Sequence, residues 1–404
     1  MINSNRKLVS CVIALIVSII VSIPLIANAL IIYNDPNGDG DIELNDNILI
    51  TQYLEGSIDV TNLERLDFDN DNIISMADAF EVQLYNLGLL NPGSINLPSA
   101  ATYNGSSSET YHVFDASTGD LLLYNAYTLY NYNPIPNNLN EPNVTDDIIA
   151  ITDERVPIWD KSGVVKIMTP NSYIGSGFVI APHIIATAAH CVFDNSTLDP
   201  NDILSESGYI ISGIKLFDSN GVNTLTATPV ECHVPYSYIS AVKNGNYENA
   251  FDYALISVEE DLSDYMCFNL GVALDSAVTN EVEISISGFP YEINYVQVNN
   301  ATNHQMYKGS GLLKEWDDYL PPYIYLGHNL DEDRQLYYTA DTSEGNSGGP
   351  VYVTKDVYDK NGNNHQVYYD VVAIHTYGWG TINGGTRINS ELIRFYLNNN
   401  NPNW

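Results

Sequence analysis

The chain has 404 residues, which is more than one ordinary domain needs and suits two or three domains. Hydrophobic residues make up 45% of it and charged residues 16%, so a core can form and wholesale disorder is excluded. Fifty acidic residues against 15 basic ones give a formal net charge of −35. Phosphate backbones repel so acidic a chain, which excludes nucleic acid as a partner.

Residues 1–29 have the layout of a secretory signal peptide. Arg6 and Lys7 precede an apolar run that ends at Pro24, and Ala27-Asn28-Ala29 offers small residues to a signal peptidase. An uncleaved anchor is the alternative, weakened by the serines and the proline in the run. No later stretch reaches a membrane-spanning length. We therefore expect a secreted, extracellular protein that makes no membrane contact after signal removal and reaches a cell surface only through a scaffold.

Residues 30–90 contain two acidic loops that match the 12-residue calcium loop, in which hard oxygen ligands recur at alternate positions. Gly40 occupies the sharp turn of the first loop, and Asn72 replaces it in the second, where Asn tolerates a left-handed backbone. The predicted calcium ligands are Asp35, Asn37, Asp39, Asp41, Glu43 and Asp46 in the first loop, and Asp67, Asp69, Asp71, Ile73, Ser75 and Asp78 in the second.

Each loop is followed by apolar residues at helical spacing and a capping glycine, Gly56 or Gly88. This duplicated loop–helix pattern resembles the dockerin module. The resemblance implies two bound Ca²⁺ ions and a partner, the cohesin domain of a scaffoldin. Leu44-Asn45 and Met76-Ala77 stand where dockerins often carry small hydroxyl residues for recognition, so the type of cohesin stays open. A calcium-stabilised spacer without a partner is the alternative.

Residues 91–148 are expected to be a linker or a propeptide, because Pro, Asn, Ser and Gly are frequent in them. Residues 111–124 suggest a small hairpin, which either packs on another part of the chain or belongs to a removable segment. Asp146-Asp147 could be a self-cleavage site. Cleavage there would separate the dockerin-like module from the remainder of the chain.

Residues 149–404 read as short β-branched strands separated by turn residues, which predicts an all-β barrel or sandwich. One helical pattern appears, at residues 391–397. The predicted strands include 164–168, 177–180, 254–258, 282–286, 351–353 and 371–374.

Three motifs in this part carry His190, Asp252 and Ser347, in that order, each beside a predicted strand. A serine hydroxyl needs a base to take its proton, which His190 could do while Asp252 holds the imidazole tautomer and stabilises the imidazolium. The glycines around Ser347 let the backbone bend, so that the N–H groups of Gly345 and Ser347 could hold an oxyanion. Together the motifs indicate nucleophilic catalysis of acyl transfer, which needs no cofactor.

The order of these motifs and the residues in them resemble those of the chymotrypsin-like serine peptidases, and among them those of the glutamyl endopeptidases. The resemblance implies a mainly β fold of two six-stranded antiparallel β-barrels, beside the small α-helical calcium-binding dockerin-like module, with the active site between the barrels. It also implies a pocket for Glu or Asp side chains built from Thr342 and His375. The segments that carry it are 153–155, 189–191, 252–254, 287–290, 338–342, 373–375 and 380–385.

Three alternatives stay open at this point. Asp341 stands about where a trypsin-like enzyme keeps the acid that binds Arg or Lys, so basic specificity is the second reading of the pocket. The peptidase-like part could also have lost activity and serve as a binding protein. Cys191, Cys232 and Cys267 are an odd set: Cys191 either stays free or pairs with one of the other two.

Overall fold

The computed structural model describes most of the chain, which is mainly β with a small helical region near the N-terminus. The signal-peptide range, Asp39 and the expected cleavage region around Asp146-Asp147 lie outside the described residues. No helix in the described part is long and apolar enough to cross a membrane. The described residues are 32–38, 40–90, 94–96, 103–104, 111–124, 156–158, 163–170, 172–199, 205–217, 222–244, 251–290, 306–315, 334–363, 365–379, 382–389, 392–393 and 395–396.

The N-terminal part contains two helices, α1 (Leu44–Leu54) and α2 (Met76–Asn86), each directly after one of the acidic loops. Ser75 caps α2 by accepting a hydrogen bond from the Ala77 N–H. The capping glycines and the turn residue of the second loop adopt the left-handed backbone that the sequence predicts, with φ of 65° at Gly56, 64° at Gly88 and 75° at Asn72.

The first large sheet has nine strands, in the order β15-β14-β9-β10-β11-β17-β16-β6-β7, all paired antiparallel. The β-branched runs predicted from the sequence form its centre and are buried. Its strands are β6 (Tyr111–Asp115), β7 (Leu121–Tyr124), β9 (Val164–Met168), β10 (Tyr173–Ala181), β11 (Ile184–Thr187), β14 (Gly213–Phe217), β15 (Asn223–Ala227), β16 (Pro229–Pro235) and β17 (Ala254–Val258).

The hairpin predicted at 111–124 is part of this sheet. Strand β6 pairs with β16, and Phe114 and Ala116 are buried in the same core as the strands of the first sheet. This part of the 91–148 range is therefore neither a free linker nor a detached segment. The reason is that a lone hairpin is marginal, whereas one added to the edge of a sheet gains backbone pairing and apolar burial.

The second large sheet has eight strands, and six of them form a closed antiparallel ring, β20-β21-β22-β25-β24-β23, because β24 also pairs with β25. Strand β8 pairs with β21, and β18 runs parallel to β24. The strands are β8 (Val156–Ile158), β18 (Asn269–Leu270), β20 (Glu283–Gly288), β21 (Met306–Lys314), β22 (Gln335–Tyr338), β23 (Pro350–Tyr358), β24 (His365–Trp379) and β25 (Ile382–Arg387).

The two six-stranded barrels expected from the resemblance correspond to two curled, mainly antiparallel sheets, with one difference. The second sheet contains the six-stranded ring, whereas the first has nine strands and no closing pair among the described residues. Strands β6 and β7 are two of the strands beyond the expected six, and they are present because the open edge of β16 pairs with β6.

Shorter elements complete the described structure. Residues 392–393 and 395–396 are helical, within the pattern predicted at 391–397. The remaining elements are β1 (Ile32–Asn34) with β4 (Ser94–Asn96), β2 (Asp59–Val60) with β5 (Tyr103–Asn104), β3 (Ile73–Ile74) with β19 (Val272–Ala273), β12 (Phe193–Asp194) with β13 (Ser207–Gly208), α3 (Tyr236–Lys243), α4 (Asp275–Thr279) and three 3₁₀ turns at Leu63–Arg65, Ala189–Cys191 and Asn195–Thr197.

The helical part is attached to the β part by backbone pairing and, at the second sheet, by apolar packing. Strand β3, inside the second acidic loop, pairs antiparallel with β19. Ile73 belongs to the core of the second sheet, and Phe80 of α2 contacts Tyr368 with ring centroids 6.2 Å apart. The Lys360 N–H also donates to the Leu89 carbonyl at 2.7 Å. These contacts fix α2 against β23 and β24.

Candidate active site

The pairing of two strands in the first sheet brings His190 and Asp252 together. Strand β11 ends at Thr187, which pairs with Ala254 at the start of β17, so the turns that carry His190 and Asp252 are adjacent. The carboxylate makes two contacts: His190 Nδ1 lies 2.6 Å from Asp252 Oδ2, and the His190 backbone N–H donates to Oδ1 at 2.9 Å. The imidazole is thereby held in one orientation, with Nε2 directed away from the acid.

The electrostatics of this pair favour a charged imidazole. Burial by itself lowers the pKa of His190, but the adjacent Asp252 carboxylate outweighs burial and raises that pKa well above its usual value. Asp252 is buried, whereas about 33% of the His190 side chain is exposed. The acid therefore stabilises an imidazolium at a surface that solvent and substrate can reach.

Ser347 lies next to the turn that carries His190. Its carbonyl accepts a hydrogen bond from the Ser176 N–H at 2.7 Å and lies 3.6 Å from the Cys191 thiol, one residue beyond His190. The described residues contain no hydrogen bond between Ser347 Oγ and the His190 ring, a contact that is often long in structures without substrate. The structure thus brings the three predicted residues to one place through their backbones.

Gly348 allows this close approach. A Cβ there would lie 2.2 Å from the Ser176 carbonyl oxygen and 2.2 Å from Thr187 Oγ1, and its φ of 81° is in the left-handed region. The Gly348 N–H donates to the His375 carbonyl at 2.7 Å. A glycine is therefore required for the loop to reach β10 and β11.

The predicted oxyanion donors have the expected local geometry. Gly345 has a φ of 94°, and its carbonyl accepts from Ser176 Oγ at 2.8 Å, which fixes the Gly345–Asn346 peptide. Within the described part of the chain, no acceptor pairs with the N–H of Gly345 or of Ser347. Both donors are thus available to a substrate oxygen, as an oxyanion site requires.

Thr342 and His375, the predicted specificity residues, lie at the same place. The His375 N–H donates to the Gly349 carbonyl at 2.9 Å, so its strand lies against the Ser347 loop. Burial, followed by the nearby His190 charge, lowers the pKa of His375 to about 3, which keeps its imidazole neutral. Thr342 Oγ1 donates to Asn383 Oδ1 at 2.8 Å. Asp341, the alternative specificity residue, is partly buried at the start of the same segment.

Three residues that support the site carry no role in the sequence analysis. Tyr338 contacts His375, Asn383 holds Thr342, and Ser176 bonds to Gly345 and to the Phe289 N–H. Tyr338 and Asn383 belong to segments of the resemblance, which was the available signal. Ser176 has no sequence signal, because its partners are distant in the chain.

The second acidic loop gathers carboxylates as a calcium site would. Oxygen atoms of Asp67, Asp69 and Asp71 lie within 4.8 Å of one another. Burial, then the charges of Asp71 and Asp69, raise the pKa of Asp67 to about 7. A cation already lies against this cluster, because the Lys355 ammonium of β23 contacts Asp69 and, at 2.7 Å, Asp71. The hard oxygen ligands fit calcium, but the Lys355 ammonium would compete for the same oxygens.

Two other predicted ligands of this loop, Asp78 and Ser75, make hydrogen bonds at the start of α2, and Ile73 lies in the preceding strand. The two oxygens of Asp78 accept from the Phe68 N–H at 2.7 Å and the Ser75 N–H at 2.8 Å. Ser75 is the N-cap, and Ile73 lies in β3. Backbone hydrogen bonds thus fix the positions that would surround an ion.

The first loop has similar hydrogen bonds between its carboxylates and its backbone, but the neighbouring cation is Arg65. Asp35 accepts from Gly38 and Gly40, and Asp46 accepts from Asn37 and from Glu43. Asp41 and Glu43 are exposed. A Cβ on Gly38 would lie 1.9 Å from a guanidinium nitrogen of Arg65, and this group is fully buried with no acceptor among the described residues. A fixed positive charge beside the loop opposes a second cation there, so the first loop fits calcium less well.

The three cysteines among the described residues are all free, while the fourth, Cys11, lies in the expected signal peptide. Cys191 and Cys232 are buried and Cys267 is exposed, so the option of a disulfide to Cys191 is not realised.

Comparison with known proteins finds a family and a solved structure that are similar to this chain. No curated protein matches. A solved structure of a Glu endopeptidase in complex with MPD is similar, with a TM-score of 0.43 and 21% identity over 63% of this chain and 98% of that chain. Residues 175–356 match the family described as the trypsin-like peptidase domain, and this stretch contains His190, Asp252 and Ser347. Over these residues the chain is therefore similar to trypsin-like peptidase domains.

Proposed function

We propose that the protein is a secreted serine endopeptidase that cuts on the carboxyl side of Glu or Asp and is tethered to a cohesin-bearing scaffold. The observation that carries the peptidase part is the double contact of Asp252 with His190, at 2.6 and 2.9 Å, beside the Ser347 loop within a trypsin-like domain. A structural histidine needs no such buried, bidentate acid, whereas a general base does.

The arrangement accounts for each step of acyl transfer. Ser347 Oγ forms a bond to the scissile carbonyl carbon while its proton passes to His190 Nε2. The N–H groups of Gly345 and Ser347 bind the negative oxygen, and each such donor can contribute about 3 kcal/mol of barrier lowering. The imidazolium then gives its proton to the leaving nitrogen as the C–N bond breaks. Water repeats these steps on the acyl-enzyme and releases the carboxylic acid.

Acid preference is supported by the neutral, buried imidazole of His375 and the hydroxyl of Thr342 beside the Ser347 loop. The neutral imidazole can donate a hydrogen bond to a substrate carboxylate without leaving a buried cation unpaired when the pocket is empty, and Thr342, whose hydroxyl donates to Asn383 in this structure, lies nearby. The second candidate is cleavage after Arg or Lys through Asp341. We expect Glu-terminated chromogenic peptides to be cut at least about tenfold faster than Arg or Lys ones, and His375→Ala to abolish the preference. Faster cleavage after Arg or Lys would favour the Asp341 pocket.

Tethering is supported by the exposed apolar surface of the first helix. Leu44 is 62% exposed and Ile48 42% exposed, whereas Phe80, which matches Ile48 in the second unit, packs on Tyr368. A cohesin would thus meet α1, because α2 is covered by the second sheet. Calcium bound by the acidic loops would supply positive charge that holds their carboxylates together. In particular, Asp67, Asp69 and Asp71 would hold an ion in the second loop.

A fluorophosphonate probe tests the catalytic proposal, because it labels only a serine that a base has activated. We expect labelling of the calcium-loaded protein at Ser347 and none in the Ser347→Ala variant. Ser343→Ala, earlier in the same loop, is the matched control and should still be labelled. No labelling of the wild type would instead support a binding protein with an inactive peptidase domain.

A further inference from the structure

One buried side chain of the first sheet is hydrogen-bonded to the loop that carries Ser347. Ser176 of β10 is fully buried, and its hydroxyl donates to the Gly345 carbonyl at 2.8 Å. Its backbone N–H donates to the Ser347 carbonyl at 2.7 Å. Strand β10 therefore holds the loop at two points, one on each side of Asn346.

The chemistry of the partners fixes the direction of each hydrogen bond of the Ser176 hydroxyl. A carbonyl oxygen can only accept, and a backbone N–H can only donate. The hydroxyl therefore gives its single proton to the Gly345 carbonyl, while its oxygen accepts from the Phe289 N–H at 3.0 Å. No other arrangement of protons satisfies both partners.

Phe289 connects the same hydroxyl to the second sheet. It follows β20, is buried, and packs on Phe217 of β14 with ring centroids 5.2 Å apart. A Cβ on the preceding Gly288 would lie 3.0 Å from Ser176 Oγ, so the segments pack closely here. Among the described residues, no other group hydrogen-bonds the Gly345 carbonyl. Loss of the hydroxyl would therefore leave this buried acceptor without a partner.

The backbone of Gly345 needs such a restraint. Its φ of 94° lies in the left-handed region, and a glycine leaves that region for others at little cost. The predicted oxyanion donors, the N–H groups of Gly345 and Ser347, flank the Gly345–Asn346 peptide that the hydroxyl holds. A rotation of this peptide would turn the two donors away from a common point.

We infer that Ser176 is a positioning residue whose hydroxyl holds the Gly345–Asn346 peptide, so that the N–H groups of Gly345 and Ser347 converge on the substrate oxygen as it becomes negative. The inference rests on the proposed function and deepens it, because it names the group that keeps the oxyanion site in shape before substrate binds. The negative oxygen exists in the transition state and not in the bound substrate, so loss of the hydroxyl lowers kcat and leaves KM nearly unchanged.

Kinetics of the Ser176→Ala variant measures this effect, with the chromogenic peptide that the parent enzyme cuts fastest. We expect kcat to fall at least about tenfold while KM changes less than about twofold. Ser257→Ala is the matched control, because Ser257 is a buried serine of the same sheet and its hydroxyl accepts from the Glu231 N–H at 3.2 Å, outside the loop. An unchanged kcat in Ser176→Ala, or an equal loss in Ser257→Ala, would overturn the inference.

A second variant covers the case in which Ser176→Ala does not fold, which thermal unfolding detects. Ser176→Cys keeps a side chain of similar size with a weak donor. Its kcat should lie below that of the parent at nearly the same KM. A Ser176→Cys protein with the kcat of the parent would contradict the inference.

The carbonyl stretching frequency of an acyl-enzyme reads the oxyanion site directly. An isotope-labelled cinnamoyl group on Ser347 vibrates at lower frequency when N–H groups donate to its carbonyl oxygen, and infrared difference spectra detect the shift. We expect a higher frequency in Ser176→Ala and the parent frequency in Ser257→Ala. Equal frequencies in the parent and Ser176→Ala would rule out the positioning role. A parent protein that forms no acyl-enzyme would defeat the proposed function, and the inference with it.

Discussion

Two imidazoles close to the Ser347 loop have opposite electrostatic settings. Asp252 contacts His190 directly and raises its pKa, whereas His375 has a neutral phenol as its partner, and burial lowers its pKa to about 3. The difference separates their roles, since a base must be able to carry a proton and a carboxylate-binding donor in a dry site is best neutral. The group that contacts each imidazole ring therefore decides whether that ring is suited to be a base or a neutral donor.

The buried His375 should make folding depend on pH. Its folded-state pKa is about 3 and an unfolded histidine titrates near 6.5, so between these values the unfolded chain binds more protons. The contribution of the neutral His375 to the free energy of unfolding is therefore complete above pH 6.5. It is lost as the pH falls toward 3, by up to about 1.4 kcal/mol per pH unit.

Urea unfolding of the Ser347→Ala protein with and without His375→Gln measures this effect. The free-energy difference between the two proteins should shrink as the pH is lowered from 7 to 4. Parallel pH curves for the two proteins would show that His375 does not titrate on unfolding as this account requires.

At the scale of elements, the two acidic loops share a sequence pattern but have different neighbours. The first lies against the buried Arg65 guanidinium, and the second against the Lys355 ammonium of β23. Burial of Lys355 is outweighed by Asp78, Asp69 and other nearby carboxylates, which raise its pKa, so its charge stays in the loop. In the second loop, a cation of the protein itself would therefore compete with calcium for the same oxygens.

Removal of the Lys355 charge should strengthen calcium binding. We expect Lys355→Met to raise the affinity of the second loop at least about tenfold, because the ion no longer displaces an ammonium group. Lys360→Met is the matched control, since the Lys360 ammonium donates to the Gly88 carbonyl rather than to a loop carboxylate. Isothermal titration calorimetry gives affinity and stoichiometry together. Equal affinities in the two variants would exclude the competition.

At the scale of the whole molecule, described residues before Asp146-Asp147 share backbone pairs and cores with the β part of the chain. Strand β3 pairs with β19, Ile73 lies in the core of the second sheet, and β6 pairs with β16 in the first sheet. A cut near Asp146-Asp147 would therefore leave the N-terminal fragment bound by these contacts. On this basis we expect that removal of a propeptide and tethering through the module are compatible.

The same contacts predict that calcium stabilises the peptidase part as well. A ligand at 100 times its Kd contributes about 2.7 kcal/mol, and the shared β3–β19 pair should spread this to both parts. Differential scanning calorimetry of the full chain should show one transition that moves to lower temperature with EDTA. Two transitions, of which only the smaller moves, would show that the parts unfold independently.

The sequence alone determined the chemical groups and the local structure of this protein. Its motifs selected His190, Asp252 and Ser347, its β-branched runs located the central strands, and the glycines and Asn72 fixed the turns, because these signals depend on neighbours in the chain. It did not indicate that the 111–124 hairpin would join the first sheet.

The tertiary structure decided the contacts between distant residues. Tyr338 against His375, Lys355 in the second acidic loop and Arg65 beside the first depend on strand order and on packing between separate parts of the chain. Such contacts leave no local pattern, since each residue also suits an ordinary strand or turn. They set the hydrogen bonds and the net charge around each site, and these exist only when the chain is folded.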